Sequence, residues 1–194
     1  WIPLTDFQKD AWDELPDARA IAISAPTSAG KSFLVIEHLC RKVEQAATFC
    51  AVYVAPTRAL LSEVSVKIQR RLGEAADVRI TTVPTQDPAG PARQVFVLTQ
   101  ERLQVLLAAS SVTFDLVVVD EAQNLSDGSR GMILQDSVEQ AVGRSAATRL
   151  VLLAPGARGF EAVGATIGAP DLEVKRSDLP SVLQNRIQLR KAEI

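Results

Sequence analysis

Lys31 and Ser32 end the stretch A-P-T-S-A-G-K-S at 25–32, and Asp120 and Glu121 begin D-E-A-Q at 120–123. The first stretch has the composition of a loop that holds phosphate. Small residues let the N–H groups of Ser28, Ala29, Gly30 and Lys31 turn inward, with Thr27 in the same loop. Lys31 reaches toward β- and γ-phosphates, and the Ser32 hydroxyl holds Mg²⁺. A helix starting here adds its positive dipole end. Ala25 stands where such loops usually carry their first glycine, and it fits if its φ is negative. The acids supply the complementary chemistry. Asp120 suits the Mg²⁺ water shell, and Glu121 suits the removal of a proton from an attacking water. The competing readings are an ordinary strand–helix turn and a solvated acid pair; finding both motifs in one chain argues against each.

These side chains need elements to hold them. Ala20-Ile21-Ala22-Ile23 is a short buried strand before the loop, and the helix from Lys31 to about Gln45 follows it. Phe114 to Val119 is an apolar, β-branched run that ends at the acids and predicts a central strand. Phe49–Ala55 predicts another strand, followed by Pro56-Thr57-Arg58 and a helix over Ala59–Leu72. Strands over Val78–Val83 and Gln94–Leu98 flank a polar, proline-rich loop at Pro84–Ala92. Thr99 then opens a helix, carrying Arg102, to about Ala109. Asn124–Gly131 reads as a mobile polar loop before a helix over Met132–Val142. A strand over Thr148–Ala154, a helix over Phe160–Ile167 and an edge strand over Asp171–Val174 complete the pattern. An amphipathic helix over residues 3–15, capped near Thr5 or Asp6, precedes it all. Strands alternating with helices predict an α/β domain, a mainly parallel sheet with helices on both faces. Ligands of such sheets gather at the carboxyl ends of the strands, which puts Thr57 and Arg58 on the rim with the phosphate loop.

A-P-T-S-A-G-K-S, A-P-T-R-A-L at 55–60 and D-E-A-Q, in that order, resemble the first RecA-like domain of a superfamily 2 helicase, nearer the D-E-x-H/Q branch than the D-E-A-D branch. The resemblance covers Gln8 to about Ala169. It implies a RecA-like P-loop lobe at 1–174 and an exit segment at 175–194 leading to a second such lobe. It implies ATP and Mg²⁺ as cofactors, DNA or RNA as partner, and an arginine finger supplied by the second lobe. Carried over residue by residue, it assigns Gln8 to the adenine edge, an amide donor–acceptor pair matching N6 and N7. It assigns Pro56, Thr57, Arg58, Thr99 and Arg102 to the nucleic-acid backbone, and Gln123 to orienting water or contacting the opposite lobe. Departures are visible too. Gln86-Asp87 replaces a glycine-aspartate turn, the proline after Thr99 is missing, and Leu153-Ala154-Pro155 lacks both hydroxyls of a serine-alanine-threonine motif. Two other readings follow from that: a nucleotide-binding regulatory module, or a P-loop ATPase working without nucleic acid.

The chain has 194 residues, 47% hydrophobic and 23% charged, with net charge −2. That suits one soluble domain and advertises no basic patch. No run reaches the length of a membrane span. Starting at Trp1 without a signal, it reads as a piece of a longer or processed protein, with the cytoplasm (or nucleus) as compartment. Cys40, Cys50 and His38 are its only cysteines and histidine, and their spacing forms no zinc motif. His38 reads as a packing or surface residue.

Overall fold

The computed structural model describes residues 4–73, 77–87, 90–126, 128–156, 164–165 and 167–177. Its strands are β1 (Ala20–Ser24), β2 (Phe49–Val54), β3 (Val78–Thr81), β4 (Arg93–Leu98), β5 (Leu116–Val119), β6 (Arg149–Ala154) and β7 (Glu173–Arg176). Its helices are α1 (Asp6–Glu14), α2 (Lys31–Gln45), α3 (Arg58–Leu72), α4 (Gln100–Ala109) and α5 (Gly128–Gly143). The strands form one sheet in the order β3-β4-β2-β5-β6-β1-β7, and every pairing is parallel. The mainly parallel sheet expected from the sequence is therefore wholly parallel among the described strands. All carboxyl ends lie on one edge, so a residue just after any strand joins the same rim.

Strand alternation splits the core into two apolar layers. Ala20, Ala22, Val52, Val54, Val117, Val119, Leu150 and Leu152 face α4 and α5, where Leu103, Leu106, Leu134 and Val138 meet them. Ile21, Ile23, Tyr53, Val118, Val151 and Leu153 face Ala11, Leu15, Leu34, Leu39, Val64 and Ile68 of the α1–α3 side. Both faces of the sheet are thus covered within this chain, as parallel sheets require. Among the described residues no helix is long and apolar enough to cross a membrane.

Polar side chains pin the helices where packing alone is non-directional. Arg144 donates to the carbonyls of Leu107 (2.5 Å), Ser110 (2.9 Å) and Val112 (3.0 Å), satisfying the C-terminal end of α4. Glu37 of α2 is buried and accepts from Arg71 of α3 at 2.6 Å and from Arg41 at 3.0 Å. The Arg71 bond is the main reason its carboxyl sits below the usual range. Trp12 of α1 meets His38 of α2 edge-on at 6.0 Å, and the Arg41 guanidinium lies 4.7 Å from the Trp12 ring.

Three expectations change. Helix α5 begins at Gly128, not Met132, and Ala122–Ser126 forms a 3-10 turn, so Asn124–Gly131 is no open loop. Gly131 explains this: a Cβ there would stand 2.7 Å from Asn124 O and 2.9 Å from Leu125 O. Without one, the helix packs directly on the turn, and the polarity of the segment reflects its outer side. The last strand reaches Arg176, two residues past Val174, because Lys175 and Arg176 pair with Ile23 and Ser24. β3 stops at Thr81, where the Thr81 hydroxyl accepts from Val83 N at 3.1 Å and turns the chain. The helix expected over 160–167 and the segment 178–194 lie outside the described residues, apart from Gly164, Ala165 and Ile167.

His38 is packed and only 4% exposed, and burial, with lesser effects from Lys42, Arg149 and Arg41, lowers its pKa to about 4. The unfolded chain takes its proton near 6.5, so between about 6.5 and 4 the unfolded state binds more protons and stability falls as pH falls. From pH 7 to pH 5 this amounts to about 2 kcal/mol. Urea unfolding at the two pH values should show that loss in the wild type and a clearly smaller one in His38→Gln. Equal losses would show that His38 titrates normally in the fold.

Candidate functional site

The phosphate loop follows β1 at the rim. Ala25 is fully buried and donates its N–H to Ala154 O of the neighbouring β6 at 3.1 Å. Its φ is not positive, which explains why alanine fits there. Thr27–Ala29 forms a 3-10 turn closed by Ala29 N to Pro26 O at 2.9 Å, so the Ala29 N–H expected to face phosphate is engaged inside the loop. Gly30 then takes φ +71, ψ +24 and starts α2. Thr27 and Ser28 are exposed, Ala29 is buried, and Ser32 is half-buried on the first turn. Lys31 is buried and donates to Ala25 O (2.5 Å) and Pro26 O (3.0 Å), the carbonyls of its own loop. Burial lowers its pKa, and the negative charges of Glu121 and Asp120 oppose that.

The acid pair arrives from β5, two strands away from β1 in the sheet. Asp120 is 5% exposed and its two oxygens are shared out. Oδ1 accepts from Glu121 N at 2.9 Å, and Oδ2 faces Ser32 Oγ at 3.4 Å. Tyr53 of β2, buried completely, also donates its hydroxyl to Oδ2 at 2.5 Å. Burial pushes the Asp120 pKa up, while the Tyr53 and Glu121 N–H bonds pull it back. Glu121 sits at φ +52, the left-handed region, alone in this among the described non-glycine residues. That conformation costs about 1–2 kcal/mol and redirects the Glu121 side chain and the chain after it. Gln123 donates its amide to the Glu121 carboxylate, while its Oε1 is buried with no hydrogen-bond partner among the described residues. Ser32, Asp120, Glu121 and Gln123 thus form one cluster beside Lys31. Its hard oxygen donors, Ser32 Oγ and the Asp120 carboxylate, suit Mg²⁺.

Gln8 has a different position from a free adenine reader. It completes a capping box on α1, with Thr5 N donating to Gln8 Oε1 at 3.0 Å. Its Nε2 donates to Ala29 O at 2.9 Å, so the side chain ties α1 to the phosphate loop.

The remaining candidates share a groove of about 460 Å³ along the same rim, lined by Pro56, Thr57, Arg58, Thr99, Glu101, Arg102 and Arg130. Thr57 and Thr99 cap α3 and α4, accepting from Leu60 N (3.2 Å) and Arg102 N (3.5 Å). Arg58 is exposed. Arg102 donates to Thr82 O at 2.8 Å. Arg130 pairs with Glu101 at 3.0 Å on the wall of the groove.

The profile of the DEAD/DEAH box helicases matches residues 5–155. The chain belongs to the DEAD/DEAH box helicase family. It is 28% identical over 166 residues to the ATP-dependent helicase Lhr-Core of Methanothermobacter thermautotrophicus, covering 70% of this chain and 19% of that protein. It is 24% identical over 165 residues to the ATP-dependent DNA helicase Hel308 of Aeropyrum pernix, covering 82% of this chain and 22% of that protein. The chain therefore spans about a fifth of these relatives' length. A DEAD box protein from the hyperthermophile Methanococcus jannaschii has the same fold, with a TM-score of 0.68 over 88% of this chain and 49% of that one, at 19% identity. The Hef helicase domain of Pyrococcus furiosus gives 0.67 over 89% of this chain and 37% of that one, at 17% identity. The fold is RecA-like.

In this helicase-family domain, sequence reasoning missed Tyr53 and Arg130. Tyr53 is the single tyrosine and the one polar-tipped residue inside the otherwise apolar β2 run. Its place two residues before Ala55 on a strand beside β5 was the available signal. Arg130 was hidden by reading its segment as a loop.

Gly30 gives a test of the loop geometry. A Cβ there would approach Gln8 Nε2 to 2.6 Å, in addition to the left-handed strain of about 1–2 kcal/mol. Gly30→Ala should therefore destabilise more in the wild-type background than in Gln8→Ala, where the clash is gone. Denaturant midpoints of the four proteins in the double-mutant cycle check it; strictly additive losses would show that Gln8 does not cover Gly30.

Proposed function

We propose that this chain is the first RecA-like lobe of an ATP-dependent helicase or translocase acting on DNA or RNA. The observation that carries the reading is the approach of Ser32 Oγ to Asp120 Oδ2 at 3.4 Å across 88 residues of sequence, beside buried Lys31. Buried side chains of opposite charge beside a helix N-terminus fit a phosphate with its divalent cation.

Lys31 would exchange its loop carbonyls for β- and γ-phosphate oxygens. Ser32 and Asp120 would hold Mg²⁺, which when bound neutralises phosphate charge and favours departure of the terminal phosphoryl group. Glu121 would take the proton of the attacking water. Its backbone is fixed by the bond to Asp120 and its carboxylate by Gln123, so the base is held against the sheet rather than swinging in solvent. The unpartnered Oε1 of Gln123 offers that water, or the opposite lobe, an acceptor. Thr27, Ser28, Ala29 and Gly30 would wrap the phosphates. Gln8 would present to adenine only after loosening its hold on Ala29. The groove with Pro56, Thr57, Arg58, Thr99 and Arg102 would take the nucleic-acid backbone, and a second lobe would close both sites and bring the arginine finger.

A second reading has its own support. Leu153-Ala154-Pro155 carries no hydroxyl, and Ala154 O is bonded to Ala25 N at the base of the phosphate loop. A nucleotide-binding module with hydrolysis uncoupled from nucleic acid would be consistent with that.

Nucleic-acid-stimulated ATPase activity of the full-length protein separates the two. Stimulation is expected; ATP binding without stimulated turnover would favour the module. Lys31→Ala should weaken Mg-ATP binding by roughly 10–100-fold, the loss of charge-assisted bonds worth about 1.5–3 kcal/mol. Glu121→Gln should spare binding and lower turnover by about 10²–10⁴-fold. Asp120→Asn should impair Mg²⁺-dependent binding as well. Calorimetry with steady-state kinetics reads all three, and an intact ATPase in Glu121→Gln would remove Glu121 as the base.

A further inference from the structure

Tyr53 has no role in any of this chemistry as far as the sequence motifs go, yet it touches the centre of the site. Its ring is wholly buried on the sheet face toward α1–α3, flanked across the strands by Val97 and Val118. Phenylalanine would fill that space equally well, and it would bring no hydroxyl to desolvate. The hydroxyl therefore answers to the polar groups at its tip: it donates to Asp120 Oδ2 at 2.5 Å and also meets the Ser32 side chain. Oδ2 is the same oxygen that faces Ser32 Oγ, whereas Oδ1 is held by Glu121 N.

We propose that Tyr53 is a positioning residue for the divalent cation: its buried O–H fixes the Asp120 carboxylate so that Oδ2 is held beside Ser32. The inference rests on the Mg-ATP reading of this site and deepens it. An aspartate with one oxygen tied to a backbone N–H can still pivot about that bond. A buried donor from a neighbouring strand stops the pivot, and β2 is one of the two strands hydrogen-bonded to β5. Outer partners that orient ligating carboxylates typically contribute 10–100-fold to metal affinity. Tyr53 acts through the Asp120 carboxylate, so its effect should show in the metal dependence of nucleotide binding.

The experiment is calorimetric titration of ATP into the chain, in EDTA and over a series of Mg²⁺ concentrations, for wild type and Tyr53→Phe. The expected result is equal affinity in EDTA, and a Mg²⁺ concentration for half-maximal tightening raised about 10–100-fold in Tyr53→Phe. In the Asp120→Asn background, Tyr53→Phe should add nothing. Superimposable Mg²⁺ curves for wild type and Tyr53→Phe would overturn the role of Tyr53 and leave the Mg-ATP site standing. A wild type whose ATP binding ignores Mg²⁺ would overturn the underlying reading, and Tyr53 with it. Should Tyr53→Phe fail to fold, the wild type still decides. Tyr53 is the chain's single tyrosine, so tyrosine labelled with carbon-13 at Cζ gives one resonance. Adding Mg²⁺ to the ATP-saturated protein should move that resonance beyond its position in EDTA. An unmoved resonance, with Mg²⁺ demonstrably tightening ATP, would overturn the proposal.

Discussion

A carboxylate buried at the end of a buried strand constrains the structure around it. Asp120 follows β5, the strand with β2 on one side and β6 on the other. Left without partners, a buried charge costs several kcal/mol or takes up a proton. The fold supplies the partners from different elements: a phenol from β2, a hydroxyl from α2 and a backbone N–H from Glu121. A left-handed turn at Glu121 follows at once, and that turn directs the second acid. Chain path, strand order and local strain are therefore tied to one side chain. A shift of β2 against β5 by one residue would point Tyr53 to the opposite face and remove the phenol.

Lys31 shows the same economy on the cationic side. Its ammonium is buried, and the loop carbonyls of Ala25 and Pro26 hold it while Asp120 and Glu121 bias it toward the charged state. Those carbonyls lie on the loop that ligand phosphates would have to enter. Gln8, bonded to Ala29 O and covering Gly30, closes the same loop from α1. The loop is thus packed from both sides by hydrogen bonds, which keeps its buried polar groups satisfied; under the proposed reading a ligand would replace them with its own.

Much of this was legible in the sequence because it rests on short-range signals. Apolar runs marked β1, β2, β4, β5 and β6, and their alternation set the two layers. Thr57 and Thr99 were recognisable as helix caps, and A-G-K-S with D-E-A-Q marked the rim. What escaped depends on contacts between distant segments. The start of α5 at Gly128 rests on Gly131 meeting the carbonyls of Asn124 and Leu125, which no local pattern encodes. Lys175 and Arg176 join an edge strand because β1 is there to pair with, despite their charge. Nothing local marks Tyr53 within its strand, since its partner lies 67 residues away. The bond from Gln8 to Ala29, spanning 21 residues, was equally out of reach.

A net charge of −2 advertises no basic patch, and under the proposed reading the geometry of the groove makes one unnecessary. The groove is built where α3 and α4 begin, immediately after β2 and β4. Each helix presents the positive end of its dipole on the sheet rim. Thr57 and Thr99 spend their hydroxyls on the caps, which fixes both helix ends rather than leaving them to fray. On the proposed reading, attraction for backbone phosphates would then come from oriented peptide dipoles, with Arg58 and Arg102 adding charge at chosen points. A site of that kind leaves little trace in composition, because peptide groups carry it. The pairing of Arg130 with Glu101 fits the same logic under that reading: the acid would temper the positive charge on the groove wall, so that peptide dipoles rather than side-chain charge would set the attraction.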